Sequence, residues 1–153
     1  MNVHPRSLLV VALLVLVSGC SKKANENEIV PFEGDWTVRE LTEHGRPADA
    51  EAIKRLVVSV KGGQFQKSEV SDGTASTKIG GADIATLRVD TSKDPAEMEL
   101  VRLQGADQGK TQLGIFVLSD TQLKICLADL GEERPTGLVA SGKTTLMVLE
   151  RKK

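Results

Sequence analysis

Glycine-rich turns divide the chain into short strand-like segments, and this pattern restricts the fold more than any other feature. Residues 56–61 read LVVSVK, Gly62-Gly63 follows, and residues 64–70 read QFQKSEV. Two glycines between two β-prone runs predict a tight hairpin, because glycine adopts the positive φ that such a turn requires. The full set of predicted strands is residues 36–41, 56–61, 64–70, 74–79, 84–90, 97–103, 113–118, 122–127 and 145–151.

Strands that follow one another through short turns form an antiparallel meander. A meander of eight or nine strands closes most simply into an up-and-down barrel, which removes its open edges. A flattened sandwich is the alternative. One short helix is predicted at residues 50–55, where Asp49 can cap the first turn. Residues 113–118 are apolar on both faces, so they predict the most buried strand.

The start of the chain has the anatomy of an export signal. Arg6 is its one cation, residues 8–17 form an apolar run, and Ser18-Gly19 stands directly before Cys20. This order of charged, apolar and small residues before a cysteine is typical of a bacterial lipoprotein signal. The run is too short for a membrane-spanning helix, which needs roughly 20 apolar residues. A plain secretory signal with an incidental cysteine is the alternative.

These features predict three regions. Residues 1–19 are a signal peptide that is removed, and residues 20–31 are a flexible tether whose Cys20 carries the lipid. Residues 32–153 form the folded domain. The expected location is the cell envelope, as a membrane-anchored lipoprotein facing the periplasm or carried by the outer membrane. The membrane is thus the predicted partner, through acylated Cys20.

Composition excludes several classes of function. Removal of the signal, whose one ionised side chain is Arg6, takes the formal net charge from −1 to −2, so nucleic acid is not an expected partner. His44 is the one histidine left, which excludes a multi-histidine zinc site, and we expect no metal and no cofactor. A Ser-His-Asp triad at His44 is not formally excluded, but no nucleophile-elbow motif accompanies it. We therefore expect no enzyme and no catalytic residues. Cys126 is expected to be a small buried hydrophobic residue rather than a reactive thiol.

A second set of residues is predicted to close the barrel. Gly34 and Trp36 begin the first strand, and Arg151 ends the last strand. Because these two strands are neighbours in a closed barrel, the arginine can stack on the indole and seal one end. Arg134, held in an extended loop by Pro135, either pairs with an acid such as Glu132 or faces a ligand anion.

The sequence resembles a known group of proteins. Its segments FEGDW at 32–36, GIF at 114–116, LKIC at 123–126, GEERPT at 131–136 and LMVLER at 146–151 carry the resemblance. They are similar to the uncharacterised lipocalin-like domain family abundant in planctomycete bacteria, whose members are often lipoproteins. Phe116 and Leu138 depart from the pattern, since tyrosine is commoner at position 116 and an aromatic residue is commoner at position 138. The resemblance implies an antiparallel, lipocalin-like β-barrel and no established activity.

Two functions follow as expectations. The first is a lipid-anchored binding module for a small apolar or amphipathic ligand, whose ligand-binding residues the sequence does not identify. The second is a structural or protein-interaction domain of the envelope, with a solid core. Fold alone does not decide between them.

Overall fold

The computed structural model describes residues 26–69 and 83–153, and these form a closed antiparallel β-barrel. A short helix α1 (Glu26–Ile29) and a 3-10 turn (Val30–Phe32) lead into the barrel, and a second helix α2 (Ala50–Lys54) follows the first hairpin. The strands are β1 (Gly34–Glu43), β2 (Arg46–Pro47), β3 (Leu56–Lys61), β4 (Gln64–Glu69), β5 (Asp83–Asp90), β6 (Ala96–Arg102), β7 (Thr111–Leu118), β8 (Gln122–Ala128) and β9 (Thr144–Arg151).

Eight strands make the barrel wall, and every neighbouring pair is antiparallel. β1 and β3 through β9 follow one another in sequence order, while β9 pairs with β1 to close the ring. The two-residue β2 extends the far end of β1 as a small hairpin. A bulge between Val38 and Glu40 shifts the β1–β9 register and bends the strand. The prediction of an up-and-down barrel with one short helix is therefore confirmed.

The turns follow the chemistry that the sequence predicted. Gly62 and Gly63 have φ values of 58° and 74°, and Lys61 pairs with Gln64 across them. A two-residue loop with positive φ at both positions matches the right-handed twist of the flanking strands. His44 and Gly45 repeat this geometry between β1 and β2, with φ values of 53° and 78°.

One predicted boundary differs from the structure, and two predicted segments lie outside the residues that the structure describes. The tether was predicted to end at Pro31, but the fold begins earlier, because α1 starts at Glu26 and Ile29 is 7% exposed in the core. The strand predicted at residues 74–79 and the signal peptide with Cys20 fall outside the described residues. β4 pairs directly with β5, so the described barrel closes without a strand between them.

Inward-facing side chains from all eight wall strands fill the barrel. One cluster holds Trp36, Val38, Leu41, Val58, Val60, Phe65, Ala85, Leu87, Met98, Leu100, Phe116, Leu123, Ile125, Leu127, Met147 and Leu149. Ile29 and Phe32 join this cluster, and the Phe32 and Phe116 rings meet edge to face at 4.9 Å. An interior packed by side chains is one of the two outcomes open to an eight-stranded barrel.

A second apolar layer lies on the outer face of the wall. We call residues 129–143, which connect β8 to β9, the strap. Cys126 and Ala128 alternate with the core residues of β8, so they face outward, yet both are fully buried. The Cys126 thiol lies 3.6 Å from the carbonyl oxygen of Val139 in the strap. The strap therefore covers this outer strip.

The sequence predicted that β7 would be the most buried strand, and this prediction is wrong because the strap covers only part of its outer face. Ile115 faces outward and is 1% exposed, but Val117, farther along the same face, is 53% exposed. In β8, five of the seven residues are buried. The two apolar faces of β7 were correctly seen in the sequence, but only part of the outer face has a cover.

Substitution of Trp36 tests how strongly the closure of the barrel depends on one side chain. Its indole is fully buried, and Nε1 donates to the Phe32 carbonyl oxygen at 2.9 Å. We expect Trp36→Ala to lower the free energy of unfolding by about 3–5 kcal/mol, because it opens a large cavity. Urea denaturation followed by circular dichroism measures the change. Trp36→Phe, which keeps an aromatic ring, is the control and should lose less; a loss below about 1 kcal/mol for the alanine variant would contradict the core role.

Candidate functional site at the barrel mouth

The barrel has one closed end and one open end. At the closed end, Arg151 Cζ lies 4.2 Å from the centre of the Trp36 ring. The same guanidinium donates through Nη1 to the Glu33 carbonyl oxygen and through Nη2 to that of Pro31, at 2.7 and 2.6 Å. Gly34, with φ of 125°, comes so close that a Cβ there would lie 3.3 Å from Nη1. The structure thus brings together the three residues that the sequence proposed for barrel closure.

The opposite end, which we call the mouth, carries a layer of polar side chains directed into the barrel. Lys67 follows Phe65 on β4, and Arg102 follows Leu100 on β6, each two residues beyond a core position. Gln112 on β7 and Thr145 on β9 each lie two residues before an inward-facing position, Gly114 and Met147. The lining of the mouth is Glu43, Phe65, Lys67, Asp83, Leu100, Arg102, Gln112, Leu127, Thr145 and Met147.

The charges of the mouth are paired with one another. The Asp83 carboxylate lies 3.3 Å from Arg102 Nη1 and 3.8 Å from Lys67 Nζ. Arg102 Nη2 donates to Gln112 Oε1 at 2.7 Å, and Gln112 Nε2 donates to the Ala128 carbonyl oxygen at 2.7 Å. This chain of contacts ties β4, β5, β6, β7 and β8 together at the rim. The two cations therefore face an apolar floor while already holding protein partners.

The mouth is small. Its floor is made by Phe65, Leu100, Leu127 and Met147, which are all buried. The space above them is about 70 Å³. Pockets for small molecules of drug size typically measure about 300–1,000 Å³. The described residues thus leave room for a few water molecules or one short polar group, not for a ligand buried inside the barrel.

Helix α2 lies beside the mouth and is held there by a cap and by apolar contacts. Asp49 Oδ1 accepts hydrogen bonds from the backbone N–H groups of Glu51 and Ala52, at 2.9 and 3.3 Å. Ile53 and Leu56 pack against the core. The cap fixes where the helix begins. Ile53 lies on the helix and Leu56 at the start of β3, so both ends of this connection are packed against the barrel.

Arg134 contacts the outer face of the barrel wall, and its partners differ from the acid that the sequence suggested. Its Nε lies 3.4 Å from Glu97 and its Nη2 lies 3.3 Å from Glu99, while Nη1 donates to two carbonyl oxygens of the wall. Glu132, the acid that the sequence suggested, instead pairs with Lys143 at 2.9 Å.

The remaining candidates lie apart from the mouth. Cys126 is fully buried under the strap, and this burial raises the pKa of its thiol. His44 sits in the exposed β1–β2 turn with Nε2 3.1 Å from Asp129 Oδ1. A shallow apolar groove of about 390 Å³ runs along the closed end beside Ile29, Gly63 and the 65% exposed Val30.

Two further features bear on site chemistry in the described part of the chain. Residues 26–69 and 83–153 contain no group of three or more histidine, cysteine, aspartate or glutamate residues that could hold a metal ion. Within the same residues, no helix is long and apolar enough to cross a membrane.

The rim network of the mouth gives a stability prediction. Arg102→Ala removes the ion pair with Asp83 and leaves Gln112 Oε1 without its donor, so we expect a loss of about 1–3 kcal/mol in the free energy of unfolding. Urea denaturation measures it. Lys110→Ala is the matched control, because Lys110 pairs with Asp107 at 2.8 Å on an exposed turn, and its unfolding midpoint should not move. Equal midpoints for both variants would contradict the network.

Comparison with known proteins adds little. No protein-family model matches the chain, and no curated protein matches it. A solved structure of an uncharacterized protein from Bacteroides eggerthii DSM 20697 is similar, with a TM-score of 0.48 and 14% sequence identity over 79% of this chain and 99% of that chain. A likeness of this strength carries no functional implication, and the lipocalin-like family of the sequence resemblance stays an expectation.

Proposed function

We propose that the protein is a lipid-anchored domain of the bacterial cell envelope that acts through its outer surface, as a structural or protein-interaction module. The observation that supports this is the filled interior, to which all eight wall strands contribute buried side chains. A carrier needs an internal cavity, whereas a module that works from the outside needs a stable and rigid body.

The position of the predicted anchor agrees with an outer-surface role. Cys20 precedes the first described helix by six residues, and six residues span at most about 20 Å. Ile29, the last residue of that helix, lies beside Gly63 at the closed end. In our proposal the closed end is therefore the one near the bilayer, and the wall and mouth are left accessible to other molecules.

One observation favours a second candidate, a binding site for a small amphipathic molecule at the mouth. Lys67 and Arg102 stand above an apolar floor, and cations above an apolar floor suit an anionic head group with a short tail. The space at the mouth is only about 70 Å³, so the tail of such a ligand could enter the barrel only if core side chains moved. The outer-surface role is therefore the first proposal.

Native mass spectrometry separates the two candidates. The domain from residue 21 to 153, exposed to a lipid and metabolite extract of envelopes, should keep its apo mass if the barrel is solid. A discrete added mass that disappears on denaturation would overturn the outer-surface proposal in favour of the carrier. Lys67→Ala then locates the ligand, because loss of the added mass in this variant would place its head group at the mouth.

A positive test of the outer-surface role uses photo-crosslinking in cells. A crosslinking side chain at Val117 on the outer face of β7, or at Val139 in the strap, should give a discrete adduct with an envelope protein, because these residues are 53% and 71% exposed. The same side chain at Leu87, which is fully buried inside the barrel, is the control and should give none.

The anchor has its own test. Cys20→Ser removes the thiol that would be acylated, so the protein should no longer sediment with membranes, since stable anchoring needs attached acyl chains. Cell fractionation and immunoblotting measure the distribution. Cys126→Ala is the matched control and should remain with the membranes; continued sedimentation of the Cys20 variant would contradict lipidation at this cysteine.

A further inference from the structure

The outer face of the barrel wall carries an apolar strip that water would normally meet. Ile115, Cys126 and Ala128 point away from the core and are nevertheless 0–1% exposed. The strap contacts this strip through Val139, which accepts from the Cys126 thiol, and through Arg134, which donates to the carbonyl oxygen of Gly114 beside Ile115. Outward positions of a barrel exposed to water are usually polar, so this strip depends on its cover. How the strap is held therefore decides whether the strip is ever exposed.

One side chain provides most of the connection between the strap and the wall. Arg134 is 19% exposed, and its Nη1 donates to the carbonyl oxygens of Met98 at 2.6 Å and Gly114 at 2.5 Å. Its Nε and Nη2 face Glu97 and Glu99 on the outer face of β6. The guanidinium thus reaches two neighbouring strands and two carboxylates at once, which is the geometry of strong charge-assisted hydrogen bonds.

The other polar contacts of the strap are mostly internal or at its base. Lys143 pairs with Glu132, and Asp129 N–H donates to the Lys143 carbonyl oxygen at 2.9 Å. Asp129 also faces His44 at the base, where β8 ends. At the β9 end of the strap, Thr144 Oγ1 accepts from the Ser141 N–H at 2.7 Å and donates to the Val139 carbonyl oxygen at 3.3 Å. The same carbonyl oxygen accepts a weak thiol hydrogen bond from Cys126. These contacts hold the strap near its junctions with β8 and β9, whereas Arg134 is the side chain that fixes it to β6 and β7.

The barrel does not need the strap for its own closure. The ladder between β8 and β9 ends at the pair Ala128 and Thr144, and none of residues 129–143 belongs to a strand. None of these fifteen residues is buried. Segments with few buried apolar contacts and no ladder bonds open locally at a lower free energy than the global unfolding.

We propose that the strap is a cover that opens as a unit while the barrel stays folded, and that Arg134 is its latch. Opening would expose the outer strip of Ile115, Cys126 and Ala128 to solvent. The proposal concerns the motion of the strap alone, and it holds whichever molecule the wall or the mouth binds.

Removal of the latch favours the open state for two reasons. Arg134→Ala deletes every contact of the guanidinium with the wall. It also leaves Glu97 and Glu99, two residues apart on one strand face, without the cation between them. Both effects act on the strap and on the outer surface of β6, while the core cluster stays unchanged.

Alkylation of Cys126 measures the opening, because this thiol is inaccessible when the strap is closed. The full-length protein in detergent is treated with a thiol reagent, and modification at Cys126 is followed by peptide mass spectrometry, so that Cys20 does not interfere. In the wild type, we expect a slow rate that changes little at low urea, since local opening exposes little surface. Arg134→Ala should raise that rate by about tenfold or more.

Controls separate the latch from a general loss of stability. Rates are divided by the rate for each unfolded protein, which removes differences in thiol reactivity. Lys143→Ala, a change in the same strap whose ion pair does not reach the wall, should leave the rate unchanged. Arg134→Lys should give a rate between those of the wild type and the alanine variant, because lysine keeps the charge and loses the forked geometry.

Three results would overturn the proposal. Labelling of wild-type Cys126 that rises with urea as steeply as unfolding by circular dichroism would mean that the strap opens only with the barrel. The increase in labelling rate for Arg134→Ala can be converted to a free energy. If this free energy equals the variant's loss in free energy of unfolding, the strap again opens only with the barrel. If Arg134→Ala does not fold, Glu97→Gln with Glu99→Gln weakens the same latch, and an unchanged rate in that double variant would exclude the latch role.

Discussion

The whole structure depends on the pairing of the first strand of the barrel with the last. Trp36 pairs with Arg151 in the β1–β9 ladder, and the guanidinium stacks on the buried indole. Arg151 also donates to the carbonyl oxygens of Pro31, Glu33 and Asp120. One side chain therefore joins the entry segment, the last strand and the β7–β8 turn. Without this closure β1 and β9 would both be open edges, and the apolar interior would meet water at the gap.

Closure with eight strands also sets what the interior can do. An eight-stranded barrel is just wide enough for side chains to fill it or for one small ligand to replace some of them. Here Trp36, Phe65, Phe116 and other large residues take the space, and the polar side chains of Lys67 and Arg102 are left at the mouth. Because Asp83 pairs with both cations, the rim stabilises the open end as the Arg151 contacts stabilise the closed end.

Local patterns in the sequence predicted most of the fold, whereas contacts between distant segments were beyond them. The Gly62-Gly63 turn and the β3 boundaries follow from short-range chemistry, since a two-residue turn demands positive φ at both positions. The partners of Arg134 lie about 35 residues away on β6, so the sequence favoured the nearby Glu132. The inward direction of Lys67 could have been found from its spacing of two from Phe65, but its partner Asp83 requires the β4–β5 register.

Two arginines in this protein use the same chemistry for different ends. Arg151 and Arg134 each donate to backbone carbonyl oxygens of separate segments, which suits a planar, permanently charged group with five donors. Arg151 joins segments that the barrel needs for closure, so its contacts are part of the global stability. Arg134 joins the wall to a strap that lies outside the ladder, so its contacts act mainly on that segment. The difference comes from topology rather than bond strength, and it is why a rigid barrel can carry a separately movable cover.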